Sequence, residues 1–451
     1  MSEGGLRAPM RHPIDWQDTD FYDVEKLTAE ERRVFDICHG CRRCFNLCDA
    51  FPRLFDLIDE SETGEVESVP TEAFQQVADA CTLCDMCFMT KCPYVPPHEF
   101  NIDFPHLMLR HRAVDERQGR HGFADHALSR TDRNGRMAAP IAPLVNWTTR
   151  TDNRLTRPLL EKTVHIHRRA ALPSYHRRTF LRQARDNPPA INTQAPAYGR
   201  RAVLYATCFI NYNNPAIGRA ARAVLAKNGV DTTVVYPGCC GMPRLEQGEL
   251  GAVAKTAQTV AHELCTWVER GYRIIALIPS CALMIKFELP LIVKDDPAVQ
   301  QLAESTMDIS EYIMDIARKE GIADGLQPLP GGVALHLACQ ARAQNMGAKA
   351  AEMLRLLPDS DVSVIERCSG HGGAWGVKRD NFEVALKVGR PVARKAADSG
   401  KRWLASECPL AGTHIAQGIG QLAAETNRPA ATAESPRHPI ELLARAYGLE
   451  I

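Results

Sequence analysis

Two cysteine-rich stretches near the N-terminus, ICHGCRRCFNLCD (residues 37–49) and ACTLCDMCFMTKCP (residues 80–93), decide the architecture of this chain. Each contains three cysteines spaced CxxCxxC and a more distant fourth. The first holds Cys38, Cys41, Cys44 and Cys48, and the second holds Cys81, Cys84, Cys87 and Cys92. This spacing suits a cubic [4Fe–4S] cluster, because a tight loop can bind three iron corners while the fourth needs a thiolate from elsewhere. Two stretches therefore predict two clusters that together conduct single electrons.

In two-cluster ferredoxins, the fourth cysteine of each stretch serves the cluster of the other stretch. Pro93, which follows the last cysteine, is typical of ferredoxins, whereas Asp49 makes the first stretch less regular. Zinc is the alternative, but structural zinc sites usually use separated CxxC pairs, and each triplet would leave one thiolate over. By the ferredoxin rule, the predicted ligand sets are Cys38, Cys41, Cys44 and Cys92 for one cube, and Cys48, Cys81, Cys84 and Cys87 for the other.

The composition is that of a globular protein in a reducing compartment. A length of 451 residues suggests two or three domains, and a net charge of zero gives no global field for nucleic acid. Sixteen cysteines without an apolar secretory signal favour metal ligation over disulfides. The apolar run from Ile274 to Ile285 is too short to cross a bilayer. We expect a cytoplasmic protein, either free or resting on the inner face of the cytoplasmic membrane.

Short helices are predicted to deliver the head cysteines. Thr28 and Glu31 form a capping box that would open a helix leading to Cys38. Thr71 would open a second helix leading to Cys81, with Phe74, Val77 and Ala78 on one face.

A basic stretch without cysteines follows, from about residue 106 to 200. It contains LMLRHR, HIHRR and YHRRTFLRQAR with few acidic residues. The pattern fits either a solvated linker with some helix or a docking surface for an acidic partner or for anionic lipid headgroups.

The last 250 residues contain an internal repeat of strands that each lead to cysteine. Helical segments lie between the strands: Asn214 and Pro215 would start one that stops at Gly229, and Asp380 would open a late one. Alternating β and α segments predict parallel sheets with right-handed crossovers, whose ligand sites lie at the carboxyl edge. In the first copy AVLYA, TTVVY and IIALI lead to Cys208, to Cys239 with Cys240, and to Cys281; in the second VALHL, VSVI and WLA lead to Cys339, Cys368 and Cys408.

The four thiols of the first copy are predicted to meet around a metal cluster. Adjacent cysteines can reach one centre only from a tight turn, which Gly241 permits. The alternative for these four positions is that the cysteines are buried and inert. We interpret Cys265, which matches no motif, as such a structural cysteine.

The CCG repeat behind a two-cluster head resembles the heterodisulfide-reductase-related iron–sulfur oxidoreductases, and within them the C subunits of anaerobic glycerol-3-phosphate dehydrogenases. The likeness extends to APIAPLVN (139–146), LPSY (172–175), CFINYNNPAIG (208–218) and CCGMP (239–243). It implies electron transfer between a flavin-containing dehydrogenase and a quinone or another carrier. It also implies a non-cubane [4Fe–4S] cluster in each CCG domain, held by five cysteines that end in CxxC.

This chain departs from the family pattern at both copies. Met284 stands where the fifth cysteine of the first copy would be. In the second copy Ser369 replaces the second cysteine of CCG, and Ala411 ends the CxxC position. The three remaining thiols could hold a cluster or zinc if another ligand joined, or the site could be empty. His371 is the best further ligand, with Ser369 as the next candidate, because Gly370, Gly372 and Gly373 allow the backbone to approach a ligand closely. The alternative is that His371 is a hydrogen-bonded loop histidine.

Together these patterns predict an α+β multidomain protein with a helical, two-cluster ferredoxin-like head and two repeated α/β CCG domains with parallel sheets. The expected domains are 1–105 (head), 106–198 (basic linker), 199–325 (first CCG domain) and 326–451 (second, degenerate CCG domain).

An electron-transfer subunit of an oxidoreductase complex is the expected function. No glycine-rich dinucleotide fingerprint follows the strands, so a flavin or nicotinamide is expected on a partner. The alternatives are a disulfide or thiol reductase acting at the first CCG cluster, and a metal-dependent sensor or scaffold.

Overall fold

A helical head opens the computed structural model, which describes residues 9–426 and 435–450. Its core is aromatic: the rings of Phe35 and Phe74 meet edge-to-face with centroids 5.0 Å apart, and those of Phe51 and Phe104 lie 4.7 Å apart. These side chains come from the apolar faces of short amphipathic helices, which pack around one core. The helices are α1 (Val24–Cys41), α2 (Ala50–Asp59), α3 (Phe74–Ala80), α4 (Met86–Thr90) and α5 (Phe104–Arg117).

Helix α1 begins earlier than predicted. The side chain of Asp23 accepts a hydrogen bond from a first-turn amide and caps the helix at Val24. The predicted capping box at Thr28 is therefore wrong, because that residue already lies inside the helix. Glu31, its proposed partner, is buried and contacts His111 Nδ1 at 2.6 Å.

Helix α3, in contrast, begins later than predicted. A 3-10 turn spans Thr71–Ala73, and the α-helix starts at Phe74. Its predicted inner face is confirmed, since Phe74, Val77 and Ala78 are buried. The helix ends directly before Cys81, which fixes where the second cysteine stretch starts.

The basic stretch is folded into short helices. An isolated antiparallel bridge joins Ile166, between two of these helices, to Lys378, far along the chain. The helices are α6 (Phe123–Ser129), α7 (Thr131–Ala138), α8 (Ala142–Thr149), α9 (Thr156–Thr163) and α10 (Phe180–Asp186).

The first sheet is parallel and has the strand order β2-β1-β3-β4. Its register places Leu204 beside Val234 on one side and Ile275 on the other. The three predicted strands are confirmed, and a short fourth strand was not predicted. The strands are β1 (Arg201–Tyr205), β2 (Asp231–Val235), β3 (Arg273–Ala276) and β4 (Thr306–Asp308).

Helices cover both faces of this sheet. Helix α12 has Pro215 in its first turn and Gly229 in the left-handed conformation (φ 86°) just after it, as predicted. A π-helical turn spans Met284–Glu288. The helices are α11 (Cys208–Tyr212), α12 (Pro215–Lys227), α13 (Met242–Leu245), α14 (Leu250–Val268), α15 (Pro279–Leu283), α16 (Leu289–Ile292), α17 (Pro297–Ser305) and α18 (Ile309–Lys319).

The second sheet repeats the order of the first three strands as β6-β5-β7, again parallel. All three predicted strands are confirmed, while the late helix starts at Phe382 rather than at Asp380. Strand β5 is buried on both faces: Leu335 joins one apolar cluster and Ala334 the other. The elements are β5 (Val333–His336), α19 (Cys339–Arg342), α20 (Lys349–Leu354), β6 (Val362–Ile365), α21 (Phe382–Asp398), β7 (Trp403–Ser406), α22 (Pro409–Thr426) and α23 (Pro439–Ala446).

The head and the first sheet share one apolar core. A continuous cluster of buried side chains runs from Phe35 in α1 to Val203 in β1 and Ile313 in α18. The protein is thus α+β, mainly helical with small parallel sheets, and its head is packed firmly against the sheet edge where the cysteines lie.

Candidate iron–sulfur centres

The first set of head thiols, here called group A, combines three cysteines of the first stretch with one of the second. Helix α1 ends at Cys41, and Arg42 turns the chain with a left-handed backbone (φ 52°). Burial and then the charge of Cys92 raise the pKa of Cys38. Burial and the same neighbour raise the pKa of Cys44 to about 12. Group A therefore consists of Cys38, Cys41, Cys44 and Cys92.

The second set, group B, has the reciprocal composition. Burial and then the charges of Cys84 and Cys81 raise the pKa of Cys48. Positive φ angles at Leu83 (47°) and Asp85 (63°) fold the second stretch into a tight loop. Group B consists of Cys48, Cys81, Cys84 and Cys87. The structure thus brings the fourth cysteine of each stretch beside the triplet of the other.

Groups A and B adjoin. After burial, the pKa of Cys87 is raised by Cys84 and Cys81 of its own group and then by Cys44 of group A. Two thiol sets whose charges interact can pass an electron between the centres that they hold.

Backbone amides point at many of the sulfur atoms and partly offset burial by lowering the thiol pKa. Since the thiolate is the form that binds iron, and hydrogen bonds to sulfur tune iron–sulfur potentials, this donor set fits a cluster. Without cations, so many neighbouring buried thiolates would repel one another. The amide donors are Ala50 and Phe51 to Cys48, Leu83 to Cys81, Met86 to Cys84, and Tyr94 and Val95 to Cys92.

Group C lies at the carboxyl edge of the first sheet and unites the predicted Cys208, Cys239, Cys240 and Cys281. The Sγ atoms of Cys208 and Cys239 are 3.8 Å apart, and those of Cys240 and Cys281 are 3.3 Å apart. Gly241 has φ 96°, so the predicted tight turn behind the adjacent cysteines is present.

Group C also has neighbours that the sequence did not reveal. Thr131 Oγ1 lies 3.4 Å from Cys208 Sγ and 3.6 Å from Cys239 Sγ. Beside it, Tyr236 donates its hydroxyl to Asp132 at 2.5 Å. Thr131 and Asp132 belong to α7, in the cysteine-free stretch, where no motif marked them.

Met284 occupies the position at which the family pattern has a fifth cysteine for group C. It is fully buried. Its methyl group packs against Gly241, together with Val253. An apolar side chain therefore closes this side of the site.

Group D, at the carboxyl edge of the second sheet, consists of Cys339, Cys368 and Cys408. The Gly370 amide donates to Cys368 Sγ at 3.3 Å. Gly370 has φ 77°, and any Cβ there would stand 2.0 Å from the Ala385 carbonyl oxygen. This glycine is therefore required for the turn that presents Cys368.

His371 lies in the same loop, against a second histidine from α22. The rings of His371 and His414 are 6.0 Å apart, and both Nε2 atoms are buried without a hydrogen-bond partner. Burial and then His414 lower the pKa of His371 to about 3, so its imidazole is neutral. Ser369 Oγ accepts a hydrogen bond from the His371 amide at 3.4 Å. His414 was not predicted, since it matches no motif.

Group D stands between groups B and C. Burial and then the charge of Cys368 raise the pKa of Cys84 in group B to about 12. Gly372 lies directly on Thr82 of the group B loop, because a Cβ on Gly372 would stand 2.5 Å from Thr82 Cγ2. On the other side, Cys281 of group C contributes to the raised pKa of Cys408, after burial and Glu407. The thiols therefore form a series in the order A, B, D, C.

Side chains outside the cysteine motifs fix group B to the first sheet. Arg112 donates to the carbonyls of Ala78 and Glu246, both at 2.8 Å, and to the carbonyl of Cys81. These contacts tie the loop of group B to the segment that follows CCG, so the spacing between the groups is held by the fold.

Arg11 makes a second buried connection beside group B. It forms ion pairs with Asp85 at 2.6 Å, Asp103 at 2.9 Å and Glu288 at 2.8 Å. Its guanidinium also lies 4.5 Å from the centre of the Phe88 ring. Asp85 belongs to the CxxCxxC loop and Glu288 to the π-turn after group C, so this arginine joins the two sites.

Within residues 9–426 and 435–450, no three His, Cys, Asp or Glu side chains converge on a point where a single metal ion could bind. Thiolates of one iron–sulfur cluster bind different iron corners and need not meet at one point. Cys265 lies apart from the four groups: it is buried in α14 and its Sγ contacts the Ala298 carbonyl at 3.1 Å. In the same described part of the chain, no helix is long and apolar enough to span a bilayer.

Comparison with known proteins places this arrangement among redox proteins. Residues 202–286, which include all of group C, match the CCG cysteine-rich domain. The chain is 27% identical over 322 residues to the C subunit of anaerobic glycerol-3-phosphate dehydrogenase from Escherichia coli, covering 71% of this chain and 76% of that protein.

Two archaeal proteins are also similar. One is the D subunit of the dihydromethanophenazine:CoB–CoM heterodisulfide reductase from Methanosarcina acetivorans, at 23% identity over 55% of this chain and 59% of that protein. The other is an uncharacterized iron–sulfur protein of Methanocaldococcus jannaschii, at 23% identity over 53% of this chain and 45% of that protein. The chain therefore contains a CCG cysteine-rich domain, and its resemblance to the heterodisulfide-reductase-related iron–sulfur oxidoreductases is confirmed.

Proposed function

We propose that this protein is an iron–sulfur electron-transfer subunit that relays single electrons between a redox partner, such as a flavin-containing dehydrogenase, and a quinone or another carrier. The observation that carries the proposal is the series of thiol groups A, B, D and C. Each group borders the next through interacting thiols, so the chain offers a continuous route from the head to the first sheet.

We further propose that groups A and B each hold a cubic [4Fe–4S] cluster, with the ligands exchanged between the two stretches as in ferredoxins. Group C would hold a third iron–sulfur cluster, non-cubane if it follows the related proteins. Group D would hold a cluster or zinc with His371 as its candidate fourth ligand, or no metal at all. In the relay, iron–sulfur clusters would supply reversible one-electron chemistry, and the chain would supply burial, spacing and hydrogen bonds that set their potentials.

We propose four domains. They are a ferredoxin-like head (1–105), the basic stretch (106–198), a first CCG domain (199–325) and a second, degenerate CCG domain (326–451). The head and first CCG domain share a core, which supports a rigid rather than a swinging relay.

The reductase alternative is weaker. A substrate disulfide would need an open iron at group C, whereas Met284 packs its methyl group into that side of the site. The heterodisulfide reductase D subunit also matches less of this chain, at 23% identity over 55%, than the glycerol-3-phosphate dehydrogenase C subunit does, at 27% identity over 71%.

The series can be tested with one variant and one control. Protein purified without oxygen is reduced with dithionite and then mixed rapidly with a water-soluble quinone while the head-cluster signals are followed. Cys240→Ser should remove the cluster of group C, where the series ends, and slow reoxidation of the head clusters at least tenfold. Cys265→Ser removes a buried thiol outside all groups and should change nothing. Equal rates for wild type and Cys240→Ser would show that electrons leave without passing group C.

A further inference from the structure

Helices α7 to α9 expose large apolar side chains that no part of the described chain covers. Their exposed fractions run from 49% at Trp147 to 80% at Leu155. Isolated exposed apolar residues are ordinary, but a contiguous patch marks an interaction site. We call this set the α7–α9 surface; it consists of Met137, Ile141, Leu144, Trp147, Leu155 and Leu159.

The six side chains belong to one continuous feature. Met137, Ile141 and Leu144 follow one another at helical spacing along α7, a 3-10 turn and α8. Asn153 then folds α9 back onto α8, since its side chain donates to the Trp147 carbonyl at 3.0 Å and caps the next helix. Helices α8 and α9 therefore lie against each other.

Helix α9 buries its arginine and exposes its leucines, the reverse of what is expected for a helix on a water-exposed surface. Its Arg157 is only 2% exposed and donates to the carbonyls of His167, Arg168 and Ala170 at 2.7 to 2.9 Å. Leu155 and Leu159, two residues to either side, point outward. A water-facing amphipathic helix shows its charges and hides its leucines. This inverted arrangement indicates that something other than water meets the leucines.

The surroundings of the surface are strongly basic. Residues 130–169 contain nine Lys or Arg and three Asp or Glu, an excess of six positive charges in a chain whose total is neutral. Exposed cations lie between the apolar residues along the sequence, and two of them, Arg136 and Arg150, pair with Asp132 and Asp152. They include Arg133, Arg136, Arg150, Arg154 and Lys162.

The inner side of α7 covers group C. Thr131 at the start of α7 touches the sulfur atoms of Cys208 and Cys239. Gly135 lies so close to Tyr212 that a Cβ there would stand 2.2 Å from the ring. The α7 part of the α7–α9 surface therefore lies on the helix that covers the last thiol group of the series.

We propose that the α7–α9 surface docks this protein on an anionic membrane surface. The inference rests on the proposed relay. Docking through this surface would place group C, the final group of the series, beside the bilayer, where a lipid-soluble carrier is available. Single Trp, Ile and Leu side chains amid Arg and Lys are typical of elements that lie in the interface, with the apolar groups inserted and the cations on headgroup phosphates. An acidic protein would match the charge and would also cover exposed leucines, so the vesicle experiment below distinguishes the two occupants.

Vesicle sedimentation of the holoprotein, purified without oxygen, tests the inference. Vesicles of phosphatidylcholine alone are compared with vesicles in which one quarter of the lipid is phosphatidylglycerol. The wild type should bind the anionic vesicles at least tenfold more tightly than the neutral ones. Leu155→Ser with Leu159→Ser should lower binding to anionic vesicles at least tenfold. The matched control, Leu181→Ser with Ile191→Ser, changes exposed apolar side chains of the same stretch outside the surface and should bind as the wild type does.

A second variant separates charge from insertion: Arg133→Gln with Arg154→Gln and Lys162→Gln should lose the preference for anionic vesicles. Wild-type protein that sediments with neither kind of vesicle would overturn the inference and point to a protein partner. Equal binding by the leucine variant would overturn it as well. Reduction of a water-soluble quinone should stay unchanged in both variants, so a failure of the relay itself would be seen separately.

Discussion

Replacing Arg11 with methionine should destabilise the junction between the head and the first sheet. The guanidinium is surrounded by three carboxylates, and its side chain is only 11% exposed. Methionine keeps an apolar stem beside the Phe88 ring but removes the charge. Asp85, Asp103 and Glu288 would then repel one another with only His106 to balance them.

The size of the effect follows from Glu288. Burial alone would raise the pKa of this carboxyl, but Arg11 and His106 lower it from 4.5 to about 2. At about 1.4 kcal/mol per pH unit, that difference corresponds to about 3 to 4 kcal/mol. Because the folded-state pKa lies below the unfolded one, this stabilisation is complete above about pH 4.5 and is lost as the pH falls toward 2. Since His106 retains a share, we expect a loss of about 2 to 3 kcal/mol at pH 7, close to the roughly 3 to 5 kcal/mol found when one partner of a buried pair is removed.

Urea unfolding of the holoprotein at pH 7, followed by tryptophan fluorescence, measures this loss. Trp16 reports the junction directly, since its indole donates to the Ile292 carbonyl at 2.8 Å. Arg390→Met is the control: its pair with Glu425 is solvent-exposed and worth less than about 1 kcal/mol. Arg11→Met with Glu288→Gln should recover part of the loss. If Arg11→Met unfolded within about 0.5 kcal/mol of the wild type, the buried network would not hold the junction.

Three further predictions concern groups C and D. Cys240→Ser should remove the EPR signal of group C and leave the two cubic signals; loss of every signal together would refute the separate sites. Thr131→Val removes the hydroxyl group that lies beside two sulfur atoms and should make the potential of group C more negative while those of the head stay constant, as measured by EPR-monitored redox titration. Gly370→Ala meets the Ala385 carbonyl and should cost about 3 kcal/mol or more in urea unfolding, whereas Gly64→Ala, with a similar φ but open space around it, should cost about 1 kcal/mol.

Much of the sheet architecture was predictable because local pattern determines it. Short apolar runs such as VSVI coincide with strands, and parallel pairing then brings every following cysteine to one edge. Strand β4 was missed because its three residues, Thr306–Asp308, carry too little periodicity. The start of α1 was misjudged because Asp23 and Thr28 are both good caps, and only packing selects between them.

The order of the thiol groups could not be predicted. It depends on contacts between segments far apart in sequence, such as Thr82 with Gly372 and Arg112 with the Glu246 carbonyl. Spacing rules assign cysteines to one site but give no information on how sites are arranged. The inverted helix α9 was hidden for the same reason, because the burial of Arg157 becomes evident only when its carbonyl partners are assembled.

Low-temperature EPR, combined with counts of iron, zinc and acid-labile sulfide on protein purified without oxygen, tests the central claim most directly. The account predicts brown protein with about eight iron atoms per chain from the head, further iron from group C, and interacting signals from neighbouring cubic clusters. Colourless protein that contains no iron, or protein that contains only zinc, would contradict it.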